Sequence, residues 1–169
     1  MHDIIIRAAV ARDVPGISKV HVDTWRTTYK EILPEEILKA LDYKVQEEKW
    51  NKRIFNKEKS DEFMYVALHS GEIVGFASGA YGEGSDIGII FTIYVLESYQ
   101  FKKIGFNLFT SIVNRLISKG IKEMTVSVFD KNPSKFFYEK MGGKPYKKQQ
   151  VIIGGNNILE ISYIWDDIL

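Results

Sequence analysis

The sequence predicts an α/β (α+β) domain, with a mixed and mostly antiparallel central sheet covered by helices on both faces. β-branched and aromatic runs alternate with segments whose apolar residues recur about every 3.6 positions. One such run, Ile93-Tyr94-Val95, passes through a short polar turn into a long amphipathic helix. The chain closes with two strand-like runs around Gly154-Gly155-Asn156-Asn157, a tetrapeptide that tolerates positive φ and reads as a hairpin turn.

Each element has its own warrant. Residues 4–8 read as the first strand. Asp13 reads as the N-cap of a helix over 14–29, with Pro15 in its first turn. Pro34 opens a second helix to about 41, and 43–55 reads as a third. Residues 63–68 and 72–80 are strands joined at Ser70-Gly71. Residues 81–87 form a glycine-rich acidic loop that leads into a strand over 89–96. In the helix 104–119, Ile104, Leu108, Ile112 and Leu116 share one face, and Gly120 stops it. Residues 123–129 read as a strand, 134–141 as a short helix, and 144–153 with 158–165 as the terminal hairpin. The predicted order is βαα(α)βββαβαββ. With 169 residues, no internal repeat and no low-complexity linker, residues 1–169 read as one domain.

Composition excludes several classes. The net charge of +1 argues against a general nucleic-acid binder, which should be clearly basic. The absence of cysteine removes disulfides, thiolate metal sites and cysteine nucleophiles. No apolar stretch approaches a membrane span, and Met1-His2-Asp3-Ile4-Ile5-Ile6-Arg7 is too soon charged for a signal peptide. The expected location is cytoplasmic, with no membrane partner. His2, His21 and His69 lack ligand-like spacing, so no metal is expected, and His21 reads as a packed or surface residue. Gly75-Phe76-Ala77-Ser78-Gly79 lies inside a strand and is not a nucleophile elbow.

The turn after Val95 points to an anion. The first amides of a helix have no intrahelical partner, and the helix dipole adds partial positive charge. Lys102 and Lys103 add two full charges, although an ordinary connection with solvated lysines would look similar. The spacing fits neither a P-loop nor a dinucleotide fingerprint. Gln100 and Gly105 instead resemble the coenzyme A pyrophosphate loop of the GCN5-related N-acetyltransferases (the GNAT superfamily), written Gln/Arg-x-x-Gly-x-Gly/Ala. Lys103 stands at the first glycine position. A lysine there is expected to keep an ordinary negative φ and tilt the loop amides, or to bring its ammonium to the phosphates. A second stretch, Asn132-Pro133-Ser134-Lys135-Phe136-Phe137-Tyr138-Glu139-Lys140-Met141-Gly142-Gly143, is similar to the Asn-Pro-Ser-Arg-x-Phe-Tyr-Glu-x-Leu-Gly-Gly segment of many bacterial members. Trp25, Tyr29, Ile32-Leu33-Pro34 and Trp50 also look like members of this group.

The resemblance implies a GNAT-like domain that uses acetyl-CoA as co-substrate. It implies that the amides of Ile93, Tyr94 and Val95 pair with the pantetheine arm. It implies that Gln100, Phe101, Lys102, Lys103, Ile104, Gly105 and Phe106 hold the pyrophosphate, and that Asn132 and Ser134 touch the coenzyme. It makes Tyr138 the general acid. A phenol of pKa ~10 is close enough to a thiol of ~8.5 to protonate a departing thiolate. Read alone, Tyr138 would be an amphipathic side chain with its hydroxyl outside, Ser134 a helix cap, Asn132 a turn residue and Lys135 a solvated lysine. The strand position where many members carry a glutamate holds Phe91 here. The base is therefore left among Asp23, Glu31, Glu83, Asp86 and a water relay, with Glu83 and Asp86 as candidates to attract a cationic amine. Trp25 and Tyr29 are candidates to wall an acceptor pocket. The implied activity is acetyl transfer to a primary amine of a small molecule or peptide by direct attack. The alternative is a non-catalytic acyl-CoA-binding or sensing module. A homodimer paired through the terminal hairpin is an option the sequence leaves open.

Overall fold

The computed structural model describes residues 3–56 and 61–169. Strands β1 (Ile5–Ala8), β2 (Glu62–His69), β3 (Glu72–Tyr81), β4 (Ile87–Val95), β5 (Glu123–Phe129), β6 (Lys144–Ile153) and β7 (Asn156–Trp165) form one sheet, ordered β1-β2-β3-β4-β5-β7-β6. Every neighbouring pair is antiparallel except β4 with β5. A parallel pair needs a crossover, and α4 (Ile104–Ser118) supplies it. The other helices are α1 (Val14–Thr28), α2 (Glu35–Lys39), α3 (Tyr43–Trp50) and α5 (Lys135–Lys140).

Two apolar layers hold the helices to opposite faces. Ile104, Leu108, Ile112 and Leu116 of α4 are buried with Ile90, Met124, Val126 and Tyr163 of the sheet. On the other face, Val14, Ile17 and Val20 of α1 and Trp50 of α3 pack on Met64, Val66 and Phe76. Burying a side chain of this size stabilises by about 1.5–3 kcal/mol. An exposed ion pair such as Lys39–Glu35 contributes about 0–1 kcal/mol, so the layers rest on their cores. A third cluster joins Tyr29, Leu33 and Leu38 to Ile158 of β7.

The element order matches the sequence expectation, and the departures have physical causes. Asp13 stands at the N-cap position of α1 but does not cap it with its side chain. Its carboxylate instead takes both Arg7 guanidinium nitrogens, at 2.7 and 2.9 Å, and the Val10 amide at 2.8 Å. A bidentate pair outcompetes a cap, and it ties β1 to the entry of α1. The second helix is shorter than expected, ending at Lys39, where Arg26 donates to the Leu38 and Leu41 carbonyls. In the terminal hairpin only Gly154 and Gly155 form the turn, with φ of 56° and 78°. Asn156 and Asn157 already pair with Ile153 and Ile152. A 3₁₀ turn, Glu97–Tyr99, intervenes between β4 and α4.

His21 is packed among Trp25, Trp50, Phe76 and Tyr94. Its Nδ1 accepts from Trp50 Nε1 at 3.1 Å. Burial, with Arg53 and Lys49 nearby, lowers its pKa from 6.5 to about 4. The unfolded chain then binds a proton below pH 6.5 that the folded chain refuses until about pH 4. Stability is therefore expected to fall as pH drops through this window, by about 3 kcal/mol in total from this residue. Denaturant titrations at pH 7, 5.5 and 4.5 should show the fall, and His21→Gln should flatten it. An equal slope in both proteins would contradict the buried neutral imidazole.

Candidate active site

The site begins with an irregularity in β4. Ser78 pairs with Thr92 but Gly79 pairs with Ile90, so Phe91 is the extra residue of a β-bulge. A bulge bends and twists its strand. β4 pairs with β5 only from Ile87 to Ile90, whereas β5 continues along β7 as far as Phe129. Beyond Phe91 the two central strands diverge, and the β4 edge that faces β5 is open through Ile93, Tyr94 and Val95. Backbone groups in such a gap need a partner, and an extended polar chain can supply one.

The anion turn lies where β4 ends. Gln100 Nε2 donates to the Val95 carbonyl at 3.1 Å, so its side chain anchors the strand exit. Phe101 and Lys103 have φ of 59° and 64°, while Lys102 between them has no positive φ. This corrects the expectation of a negative φ at Lys103. The lysine takes the left-handed conformation that a glycine would take, at a cost of about 1–2 kcal/mol. Alternating φ signs turn successive amides toward one side and make an anion-binding concavity. Lys103 is also the N-cap of α4, and no side chain caps the helix. The amides of Ile104, Gly105 and Phe106 precede the first helical bond, Asn107 N to Lys103 O at 3.0 Å. A Cβ on Gly105 would meet no atom within 4 Å, so open space lies against it. Lys102 and Lys103 are exposed, and Lys102 Nζ lies 5.3 Å from the Tyr99 ring centre.

The second stretch forms the entry to α5. Asn132 is buried, and its Oδ1 accepts the Ser134 amide at 2.9 Å. Ser134 makes no side-chain cap, and Asn132 is a turn residue that closes an Asx turn on the Ser134 amide. Lys135 is not solvated alone but paired with Asp130 at 3.1 Å. Glu139 accepts from the Tyr163 hydroxyl at 2.8 Å. A Cβ on Gly143 would sit 2.8 Å from the Trp165 ring, so that glycine is required by close packing. Tyr138 is buried beside Phe137, Tyr163 and Trp165. Burial first, and the neighbouring Tyr94 second, push its pKa well above that of an ordinary phenol.

Aromatic side chains on α1 form the opposite wall. His21, Trp25 and Tyr29 follow at intervals of four, a spacing that puts them on one helical face. Trp25 Nε1 donates to the Tyr94 hydroxyl at 3.0 Å. Burial raises the Tyr29 phenol far above its ordinary range, Tyr94 and Tyr138 add to the rise, and Asn132 opposes it. Tyr29, Tyr94, Asn132 and Tyr138 therefore share one environment, drawn from α1, β4 and the α5 entry. His21 is packed, one of the two placements its sequence allows, whereas the bond of the Tyr94 side chain to Trp25 has no counterpart in the sequence expectations. The four-residue spacing marks the α1 face but carries no signal for Tyr94, which lies on β4.

The candidate bases do not gather there. Asp23 points away from the aromatic face. Burial alone would raise its carboxyl, but hydrogen bonds from Lys19 and Tyr43 hold it below its usual value. Glu83 and Asp86 sit before β4, at the far end of the strand from the gap. Ile93 lies seven positions along the chain from Asp86, roughly 23 Å in a strand. The expected attraction of an amine to the gap by these two acids is thus not met. Glu31 does line a cleft of about 870 Å³, together with Leu33, Asp130, Asn157 and Ile158. Leu33 and Ile158 of that cleft pack directly on Tyr29. His2 lies outside the described residues. Among the described residues no group of three or more His, Asp or Glu side chains could hold a metal ion, and no helix is long and apolar enough to cross a membrane.

Residues 22–143 match the family model described as the acetyltransferase (GNAT) family. The chain is 35% identical over 170 residues to the uncharacterized N-acetyltransferase YuaI of Bacillus subtilis (strain 168), covering 98% of this chain and 94% of that one. The chain belongs to the GNAT family of acetyltransferases. Among solved structures, the PaiA N-acetyltransferase of Thermoplasma acidophilum in complex with coenzyme A superposes with a TM-score of 0.77 at 25% identity, over 94% of this chain and 98% of that one. A GCN5-related N-acetyltransferase of Rhodopseudomonas palustris gives 0.78 at 20% identity over 98% of each chain, a likeness of fold.

Two outcomes follow for the turn. Gly105→Val should raise the coenzyme A dissociation constant at least tenfold in calorimetry with no fall in melting temperature, since the new side chain enters open space and valine is no worse than glycine in a helix. Unchanged affinity would remove the turn from the ligand's path. Replacing Lys102 and Lys103 by alanine should weaken binding at low salt and flatten its salt dependence. Equal affinity in 20 mM and 500 mM salt for both proteins would show that these charges play no part.

Proposed function

We propose that the protein moves the acetyl group of acetyl-CoA to a primary amine of a small molecule or peptide by direct attack. The observation that carries this reading is the pairing of an open strand edge with an anion turn directly beyond it. One ligand can lay an amide-bearing arm along Ile93–Val95 and its pyrophosphate on residues 100–106. The coenzyme A in the Thermoplasma relative supports the same ligand here. The exposed lysines, the uncapped amides and the space against Gly105 all suit phosphate oxygens.

The chemistry follows from the residues around the gap. The acceptor enters by the cleft between Leu33 and Ile158 and meets the thioester at the aromatic wall. Free β4 amides stabilise the negative charge that builds on the acetyl oxygen. The N–C bond forms as the C–S bond breaks, and the sulfur takes a proton from Tyr138. Burial raises the phenol, and it raises a buried thiol in the same way, so the two stay matched well enough for transfer. The proton lost from nitrogen restores Tyr138. With no cysteine in the chain, a cysteinyl intermediate does not arise.

An amine panel with thiol detection separates this reading from an acyl-CoA-binding module. Thiol release that depends on the amine is the expected result. Release without amine dependence, or binding with no release, would favour the module. Tyr138→Phe keeps the ring and removes the proton. It should slow single-turnover transfer by about 100-fold and leave coenzyme A affinity unchanged. A variant that transfers at the parent rate would rule Tyr138 out as the acid.

A further inference from the structure

We propose that the acceptor is the N-terminus of a peptide, whose first residues add to the open edge of β7 as an antiparallel strand. The inference rests on the acetyl-transfer reading and names its acceptor. β7 runs alongside β6 from Asn156 to Ile164 but alongside β5 only from Glu160 onward. β5 ends at Phe129, and the chain turns away there, with the Asn132 amide donating to the Phe129 carbonyl at 2.9 Å. The segment Asn156–Leu159 is therefore covered by a strand on one edge alone. Its other edge lines the cleft of about 870 Å³.

The hairpin turn fixes which backbone groups face the cleft. Gly154 and Gly155 both have positive φ, a two-residue turn that closes on the hydrogen-bonded pair Ile153↔Asn156. Hydrogen-bonded pairs alternate along an antiparallel ladder, so Asn156, Ile158 and Glu160 bond to β6. Asn157 and Leu159 direct their N–H and C=O groups to the opposite side. The Asp130 amide, which donates to the Leu159 carbonyl at 2.8 Å, agrees with this phase. Beyond that bond, the Leu159 N–H and both backbone groups of Asn157 have no backbone partner among the described residues. Two donors and one acceptor along a strand edge form a pattern that an extended chain matches and a simple amine does not.

The surroundings set the direction of the added chain. The inner end of the cleft is aromatic: Leu33 and Ile158 pack on Tyr29, and Tyr29 meets Phe129 edge-on at 5.4 Å. The outer end is the turn. A Cβ on Gly154 would lie 2.5 Å from Ile37 Cδ1, so α2 closes one face of the hairpin there. β7 runs from the turn inward, so a chain antiparallel to it keeps its N-terminus beside Tyr29 and leaves past the turn. A parallel chain would present its carboxylate instead. The α-amine takes the acetyl group as an amide, and coenzyme A departs as the thiol. Side-chain charge does not make this choice. Glu35 and Asp130 are paired with Lys39 and Lys135, and Glu31 and Glu36 share the cleft with Lys30 and Lys131. The backbone edge is the selective feature.

Acetyl-CoA and a pool of hexapeptides test this, randomised without lysine so that the α-amine is the sole primary amine. Mass spectrometry should find acetyl groups on the α-amines, with thiol release to match. In a peptide drawn from that pool, N-methylation of single backbone amides should raise KM about tenfold at the residue paired with Asn157. At the next residue KM should stay within about twofold, the two-residue period of a strand. Asn157→Pro removes the cleft-facing N–H and leaves the β6 ladder intact, as proline does on an edge. It should raise peptide KM to a similar extent with coenzyme A affinity unchanged, and the methylated peptides decide the matter if it does not fold. Acetylation of small amines with none in the pool overturns the inference while leaving acetyl transfer in place, as does a loss that is equal or absent at every methylated position. No thiol release dependent on the pool or on the small-amine panel overturns the acetyl-transfer reading and this inference with it.

Discussion

The architecture of the site depends on where β4 lets go of β5. Four pairs join these strands, from Ile87↔Glu123 to Ile90↔Val126, and the bulge at Phe91 ends the ladder. Most sheets expose unpaired backbone at their rims, where water satisfies it. Here the unpaired edge is in the middle of the sheet, between α1 on one face and α4 on the other. A ligand able to pair like a strand is the natural partner for such an edge. The same divergence places the end of β4 above the uncapped start of α4, so one break in pairing creates both the slot and the anion turn beyond it.

The turn shows how a local rule yields to context. A lysine and a phenylalanine hold backbone angles suited to glycine, Phe101 with its side chain fully exposed. Strain of this kind persists only where the surroundings fix the chain. Gln100, bonded to the Val95 carbonyl, fixes one end, and the buried Ile104 of α4 fixes the other. The side chains of Lys102 and Lys103 are then free to face solvent or a ligand, while the amides keep the curvature an anion needs.

Much of the fold was legible because its signals are periodic. The stripe Ile104, Leu108, Ile112 and Leu116 specifies α4, and Ser70-Gly71 specifies the β2–β3 hairpin. Boundaries blurred where a side chain did something other than its local habit. Asp13 bonds Arg7 instead of capping, and Ser134 stands at its N-cap position without a side-chain cap. The bulge at Phe91 left no mark in the sequence, because an extra residue in an apolar strand reads like any other. Nor could the sequence say that Glu83 and Asp86 stand at the wrong end of β4. That follows from strand length and direction, which only pairing reveals. The convergence of Tyr29, Tyr94, Asn132 and Tyr138 comes from three separate chain segments, so spacing could identify the α1 face but not the group it meets.

The central claim is that one ligand occupies the β4 gap and the anion turn together. Backbone amide spectra recorded while coenzyme A is added test it most directly. The account predicts that the amides of 91–95 and 101–106 shift in concert, with a common dissociation constant, and gain protection from hydrogen exchange. The paired interior of β2 and β3 should stay unchanged. Shifts confined to the turn, with 91–95 unmoved, would contradict the shared slot, as would a response centred on the cleft between Leu33 and Ile158.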